Sequence, residues 1–354
     1  MKFIVGIILT FFTLSKSLGQ HVLFGERNRI LHENNLFFDK EGFLYPERYI
    51  SDSSLTKTNC SLRLWYQENN VVSDSLLNKF GIKNSKLVNE NELLNQLNDS
   101  LISEKARFLS KNHSTLTLVI HGFRKNFNET GIDVSSVTEF QLFNEAIRRY
   151  KSDFEPVDVY WDGLYDCCFS LNSKKNKEIF QLFEQASKHA SLVGKQLHRL
   201  IEKTSVATIT LIGHSLGAKV AVQFTPDVAV SKKYLVCLIA PALSAEEIKQ
   251  LYQTLPEKAA INWHIVYNEN DFVLKKKDNK IGVFGPGVKK YGATGLGCNY
   301  HNELLNLAAY IATNYPTVSI YLDNKTSIGK CHSLRCYTPA DALAEVANFI
   351  MQHN

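Results

Sequence analysis

Long apolar runs are missing from this chain. The one sustained stretch, Phe3 to Leu14, is 12 residues long, short of the about 20 that a membrane-spanning helix needs. No later segment is apolar enough to cross a bilayer. An excess of charge is missing too: 40 Lys and Arg stand against 35 Asp and Glu, a net +5, which gives no reason to invoke a nucleic-acid partner. The densest basic run, Lys275-Lys276-Lys277, is followed by Asp278 and reads as a solvated loop. No C-x-x-C pair stands at finger spacing from histidines, so a structural zinc site is not expected. Internal repeats and low-complexity linkers are also absent. The 44% of hydrophobic residues suffice for a large core.

The N-terminus points to a compartment. Met1-Lys2 is a short positive start, Phe3 to Leu14 is apolar, and Ser15 to Gly19 offers small residues at the −3 and −1 positions of a cut after Gly19. This is the pattern of a secretory signal peptide, and it predicts a secreted or periplasmic protein. No cysteine follows the cut, so a lipid anchor is not suggested. Removing residues 1–19 takes away two lysines and leaves 40 − 2 − 35 = +3. The seven cysteines (60, 167, 168, 237, 298, 331, 336) are an odd set for an exported chain, so at least one is free or pairs between chains. Cys237 lies in the apolar run 234–240 and reads as core. Cys331 and Cys336 could close a small loop.

From about residue 115 the pattern alternates between strand-like and helix-like runs. Strands are predicted at 115–121, 157–161, 208–212, 234–240, 261–267 and 318–322. Helices are predicted at 138–150, 179–203, 216–222, from the capping box Ser244-Ala-Glu-Glu247, at 303–313, and from Thr338-Pro339 to about Met351. Such alternation predicts an α/β fold, a mostly parallel central sheet with helices on both faces. Residues 20–114 are less regular: a hairpin over 36–50 turning at 39–42, a strand over 61–67, and a helix over 92–109. They are read as the leading edge of the same sheet, so that 20–354 form a single domain with a core at 115–352.

Gly213-His214-Ser215-Leu216-Gly217 stands between the strand run 208–212 and a small-residue helix. G-x-S-x-G in that context is a nucleophile elbow, a sharp turn that lifts a serine hydroxyl clear of a sheet. A serine nucleophile needs a base, a carboxylate to orient it, and donors for an oxyanion, all from loops at the carboxyl ends of strands. His332 follows the last strand in a loop long enough to fold back over the elbow, with His301 as its rival. A Cys331–Cys336 disulfide would pin that loop. Asp271, after the strand 261–267, is the leading acid, and Asp162 is the other contender. The oxyanion donors would be the backbone N–H groups of Leu216 and of Phe123, where His121-Gly122-Phe123 ends the strand 115–121.

On these residues the chain resembles an α/β-hydrolase-fold serine hydrolase, over roughly residues 115–352. The order Ser215, Asp271, His332 is that fold's order, and the intervals of 56 and 61 residues resemble those of class 3 triacylglycerol lipases. The interval from His121 to Ser215, holding Tyr160-Trp161-Asp162-Gly163, also resembles bacterial α/β-hydrolases of unassigned function. Two features depart from the lipases: Ala218-Lys219-Val220 after the elbow, where small residues are usual, and Tyr291 to Asn299. The resemblance implies hydrolysis of small-molecule or lipid esters through an acyl-enzyme on Ser215, with no metal or organic cofactor and with activity falling as His332 protonates. An amide, a thioester or acyl transfer to an alcohol are alternatives within the same chemistry, and a non-catalytic binding protein is the alternative outside it. Residues 162–177 and 275–299 are candidates for a lid or an acyl pocket.

Overall fold

The computed structural model describes residues 35–45, 62–63, 90–123, 136–161, 173–224, 232–255, 260–274, 295–339 and 341–353. The expected leader at residues 1–19, Cys60, Cys167, Cys168, Asp162 and the run 275–277 lie outside them.

Seven strands form one sheet: β1 (Leu36–Phe38), β2 (Thr115–Ile120), β3 (Val157–Trp161), β4 (Thr208–His214), β5 (Lys233–Ile239), β6 (Ala260–Tyr267) and β7 (Ser319–Asn324). Their order is β1-β3-β2-β4-β5-β6-β7, and every neighbouring pair is parallel. The helices are α1 (Glu90–Asn112), α2 (Ser136–Arg148), α3 (Ser173–Lys203), α4 (Gly217–Ala221), α5 (Ala245–Thr254), α6 (Glu303–Asn314) and α7 (Ala344–His353).

A parallel sheet must be covered on both faces, and its strands carry apolar residues at both parities. Leu116, Leu118 and Ile120 of β2 and Tyr234, Val236 and Leu238 of β5 pack on one face, with α3, α4, α5 and α6. Val119, Ile212, Cys237 and Ile239 pack on the other, with α2 and α7. The period of two along each strand thus assigns its residues to opposite layers. α3 buries Ala186, Ala190, Val193, Leu197, Leu200 and Ile201, the i, i+4, i+7 stripe of a helix lying along a sheet. Burial pushes the Cys237 thiol well above its ordinary range, as suits a core residue.

Strand order fixes where a site can form. From β2 the chain steps outward to β3, then returns to β4 on the other side of β2. The carboxyl ends of β2 and β4 are therefore a topological switch point, the crevice where open α/β sheets hold their ligands.

Two local expectations need correction. Leu62 and Arg63, expected in a strand, are helical; the buried Asp39 carboxylate accepts the Leu62 N–H at 2.9 Å, a long-range bond that local β-propensity does not register. The C-terminal helix begins at Ala344 rather than after Pro339. Asp341 stands at φ +70°, held by its N–H to the Tyr150 hydroxyl at 3.0 Å, and a left-handed residue cannot sit inside a helix. The hairpin turn at 39–42 is present, with Gly42 at φ +86° and one antiparallel bridge from Phe38 to Leu44; residues 46–50 lie outside the described set.

Candidate active site

The last residue of β4 is His214, and Ser215 begins the turn into α4. Ser215 has φ +52°, an uncommon conformation for a residue with a side chain. Three backbone bonds hold it there: its N–H donates to Ile239 O (3.0 Å), and its carbonyl accepts from Ala218 N–H (3.1 Å) and Ala242 N–H (3.0 Å). Strain persists where surroundings over-determine it. Gly213 sits in register between Ile120 and Leu238. A Cβ on Gly217 would stand 2.4 Å from His121 O, and one on Gly122 would stand 2.7 Å from Ser215 Cβ. Any larger residue at these two positions would force β2 and the elbow apart.

His332, in the loop after β7, reaches Ser215, and Asp271, on the turn after β6, reaches His332. His332 Nε2 lies 2.9 Å from Ser215 Oγ, and His332 Nδ1 lies 2.6 Å from Asp271 Oδ2. Asp271 is fully buried and Ser215 is 6% exposed. The other carboxylate oxygen, Oδ1, accepts the N–H groups of Val273 (2.9 Å) and Leu274 (3.1 Å), which fixes its rotation. Because Nδ1 faces a carboxylate, the ring proton resides there, and Nε2 is left to accept from the serine hydroxyl. His301, the rival base, is exposed and lies against Tyr300 instead.

Around these three residues lies a set of buried supports. His214 Nε2 donates to the His332 carbonyl at 2.8 Å. His121 is fully buried and stacks on Trp161, with centroids 5.5 Å apart. Its Nε2 accepts the Trp161 N–H at 3.1 Å, so its proton is on Nδ1, which donates to Gly122 O at 2.9 Å. Trp161 Nε1 returns a bond to His121 O at 2.8 Å. The Gly122–Phe123 peptide is thereby held from its carbonyl side, with the Phe123 N–H on the other. Among the described residues, neither Phe123 N–H nor Leu216 N–H has a hydrogen-bond acceptor. The Phe123 ring packs edge-on to Phe183 of α3 at 5.3 Å.

Cys331 and Cys336 are joined by a disulfide. Next to it, Ser333 Oγ donates to the buried Glu139 of α2 at 2.6 Å. Lys219, the departure after the elbow, reaches Ser187 Oγ (2.8 Å) and Glu247 Oε1 (2.9 Å), so it ties α4 to α3 and α5. Residues 295–299, the end of one candidate lid, are docked rather than free. Leu296 N–H binds Leu243 O (2.7 Å) and Gly297 N–H binds Pro241 O (3.1 Å). The remaining lid candidates, 162–172 and 275–294, lie outside the described residues. Asn268, Glu139 and Ser333 went unnoticed in the sequence. Asn268-Glu-Asn-Asp271 does carry an Asx-turn signature, but its contacts to the loop after β7 leave no local trace.

A parallel sheet with a strained serine at its switch point is the architecture of an α/β-hydrolase. The sequence matches the lipase (class 3) family over residues 88–276, 189 of the 354 residues; the chain belongs to that family and is a lipase- or esterase-like hydrolase. No curated protein matches it. Among solved structures it is similar to a lipase-esterase related protein from Clostridium acetobutylicum ATCC 824, at 10% identity over 69% of this chain and 96% of that one, with a TM-score of 0.32. It is also similar to TT1662 from Thermus thermophilus, at 13% identity over 67% and 88%, with a TM-score of 0.33. No described helix is long and apolar enough to cross a membrane, and no described group of His, Cys, Asp or Glu is placed to hold a metal ion.

Proposed function

We propose that this protein is an exported serine hydrolase that cleaves carboxylic esters, lipid esters among them, through an acyl-enzyme on Ser215. The observation that carries the reading is the unbroken line from Ser215 Oγ to His332 Nε2 (2.9 Å) and from His332 Nδ1 to Asp271 Oδ2 (2.6 Å). Ser215 Oγ attacks the acyl carbon as His332 Nε2 takes its proton, and Asp271 stabilises the imidazolium without itself being protonated. The Leu216 and Phe123 N–H groups face the oxyanion of the tetrahedral intermediate, each worth about 10²–10³ in rate. His332 then protonates the departing alcohol. Water, deprotonated by the same nitrogen, attacks the acyl carbon and releases the acid with Ser215 restored. The export half of the reading rests on the pattern of residues 1–19, and the Cys331–Cys336 disulfide is what an oxidising compartment would supply.

The test is the mature protein beside Ser215→Ala, given a fluorophosphonate probe and then p-nitrophenyl acetate and octanoate. Labelling and hydrolysis are expected in the first and absent from the second, and the ratio of the two esters ranks short against medium acyl chains. A folded wild-type protein that takes no label and turns over neither ester overturns the reading.

A further inference from the structure

We infer that Asn268 is a positioning residue that sets the Asp271–His332 contact, an inference that rests on the serine-hydrolase reading above. Asn268 directly follows β6, three residues before Asp271, and is fully buried. Both ends of its side chain are engaged. Nδ2 donates to the carbonyls of Gly329 (2.8 Å) and Cys331 (3.0 Å), across the crevice in the loop after β7. Oδ1 accepts the Asn270 N–H at 2.9 Å and shapes the turn that presents Asp271. The Asn268 carbonyl accepts the Asp271 N–H itself at 2.9 Å, and its N–H donates to Gly297 O at 2.8 Å.

One buried amide therefore grips both loops at the residues that matter. The Cys331 carbonyl belongs to the peptide unit that leads into His332, so a shift of that carbonyl swings the imidazole. The neighbouring restraints differ: the disulfide closes the loop on itself, the His214 bond ties it to the strand that carries Ser215, and Glu269 N–H and Asn270 Nδ2 hold the Asp271 turn to Thr326, six residues before His332. Asn268 ties it to the turn that carries Asp271. An aspartate in its place has the same shape and no N–H to donate, and it would set a carboxylate against two carbonyl oxygens.

The experiment compares the full mature chain with Asn268→Asp, Asn268→Ala and Asn268→Ser, the last of which keeps one donor. kcat and KM for p-nitrophenyl acetate are measured between about pH 5 and pH 9, together with the fluorophosphonate labelling rate and the thermal midpoint. Asn268→Asp is expected to lose about 10²-fold in kcat, the scale of a misplaced reacting group, with KM within about threefold of wild type. In Asn268→Ala, which adds no charge, the acid limb of kcat/KM moves to lower pH, because an imidazolium that has lost its carboxylate gives up its proton more readily. Asn268→Ser regains part of both. Activity within about threefold of wild type in Asn268→Ala overturns the inference. So does a loss of activity that follows the thermal midpoint while the acid limb stays in place, since that is the signature of a merely structural residue. If Asn268→Asp does not fold, the acid limb of Asn268→Ser against wild type decides the matter. A wild-type protein that neither labels nor hydrolyses removes the Ser215 reading instead, an outcome the variants cannot mimic.

Discussion

The two ring nitrogens of His121 face different partners, and that asymmetry makes its role testable. Nδ1–H holds the Gly122 carbonyl and Nε2 accepts from Trp161, so the useful proton is the one nearer the backbone. Asparagine places an N–H close to where Nδ1 stands; glutamine places one near Nε2. His121→Asn is therefore expected to keep most of kcat, whereas His121→Gln and His121→Leu lose about 10-fold to 10²-fold, part or all of one oxyanion donor. Affinity for an alkylboronic acid, which presents a tetrahedral oxyanion to the site, should weaken in parallel while KM changes little. Wild-type kcat in His121→Leu would exclude the role. The three residues that the structure brings together, and to which the proposed chemistry is assigned, were legible in the sequence because each has a local signature: Ser215 inside its glycines, Asp271 after an apolar strand, His332 behind the last one. Residues that hold those groups were not legible in the same way. Asn268, Glu139 and the Trp161 bond that sets the His121 tautomer act across tens to hundreds of residues of chain, and nothing next to them in sequence marks the partner.

At the scale of elements, α3 carries a histidine whose burial has a consequence for acid stability. His198 is fully buried, donates through Nε2 to Ala221 O at 2.8 Å, and has no partner at Nδ1 among the described residues. Burial lowers its pKa from 6.5 to about 4, against a smaller opposing effect of the Ala221 bond. As pH falls below 6.5 the unfolded chain takes up this proton and the folded chain does not, so stability drains away down to about pH 4 and this contribution then levels off. The full effect is roughly 3 kcal/mol. His198→Gln keeps an N–H for Ala221 and does not titrate. Urea unfolding at about pH 7.5 and pH 4.5 should show a wild-type loss larger than the variant's by about 2 to 3 kcal/mol; equal losses would rule the assignment out. The elements themselves were read well from periodicity where they were long. The central strands fall within two residues of expectation and α3 ends at Lys203 as expected, though it begins at Ser173 rather than at Ile179, since an apolar stripe or a two-faced strand is written in every turn. The errors came at short segments such as Leu62-Arg63 and at Asp341, where one long-range hydrogen bond decides the backbone.

At the scale of the whole molecule, alternation of strand and helix was enough to predict a covered, mostly parallel sheet, but not the order of its strands. That order depends on which edge each crossover returns to, and it is the jump from β3 back to β4 that brings His121 and Gly122 beside Ser215. Under the proposed function, the same assembly would make export and catalysis interdependent. The His332 loop is closed by a disulfide five residues long, and a chain kept in a reducing compartment would have to hold that loop with hydrogen bonds alone. If the leader is read by the secretion machinery, protein recovered from the medium or periplasm begins at Gln20, and Cys331 and Cys336 resist a maleimide until they are reduced. Reduction should then lower kcat several-fold while lowering the thermal midpoint by only a few degrees, because a loop this short removes about 2 kcal/mol of unfolded-chain entropy, spread over a large unfolding entropy. N-terminal sequencing that finds Met1 on cell-retained protein would refute the export proposal. Full activity in a doubly maleimide-modified chain would show instead that His214, Asn268 and Glu139 hold the loop without help from the disulfide.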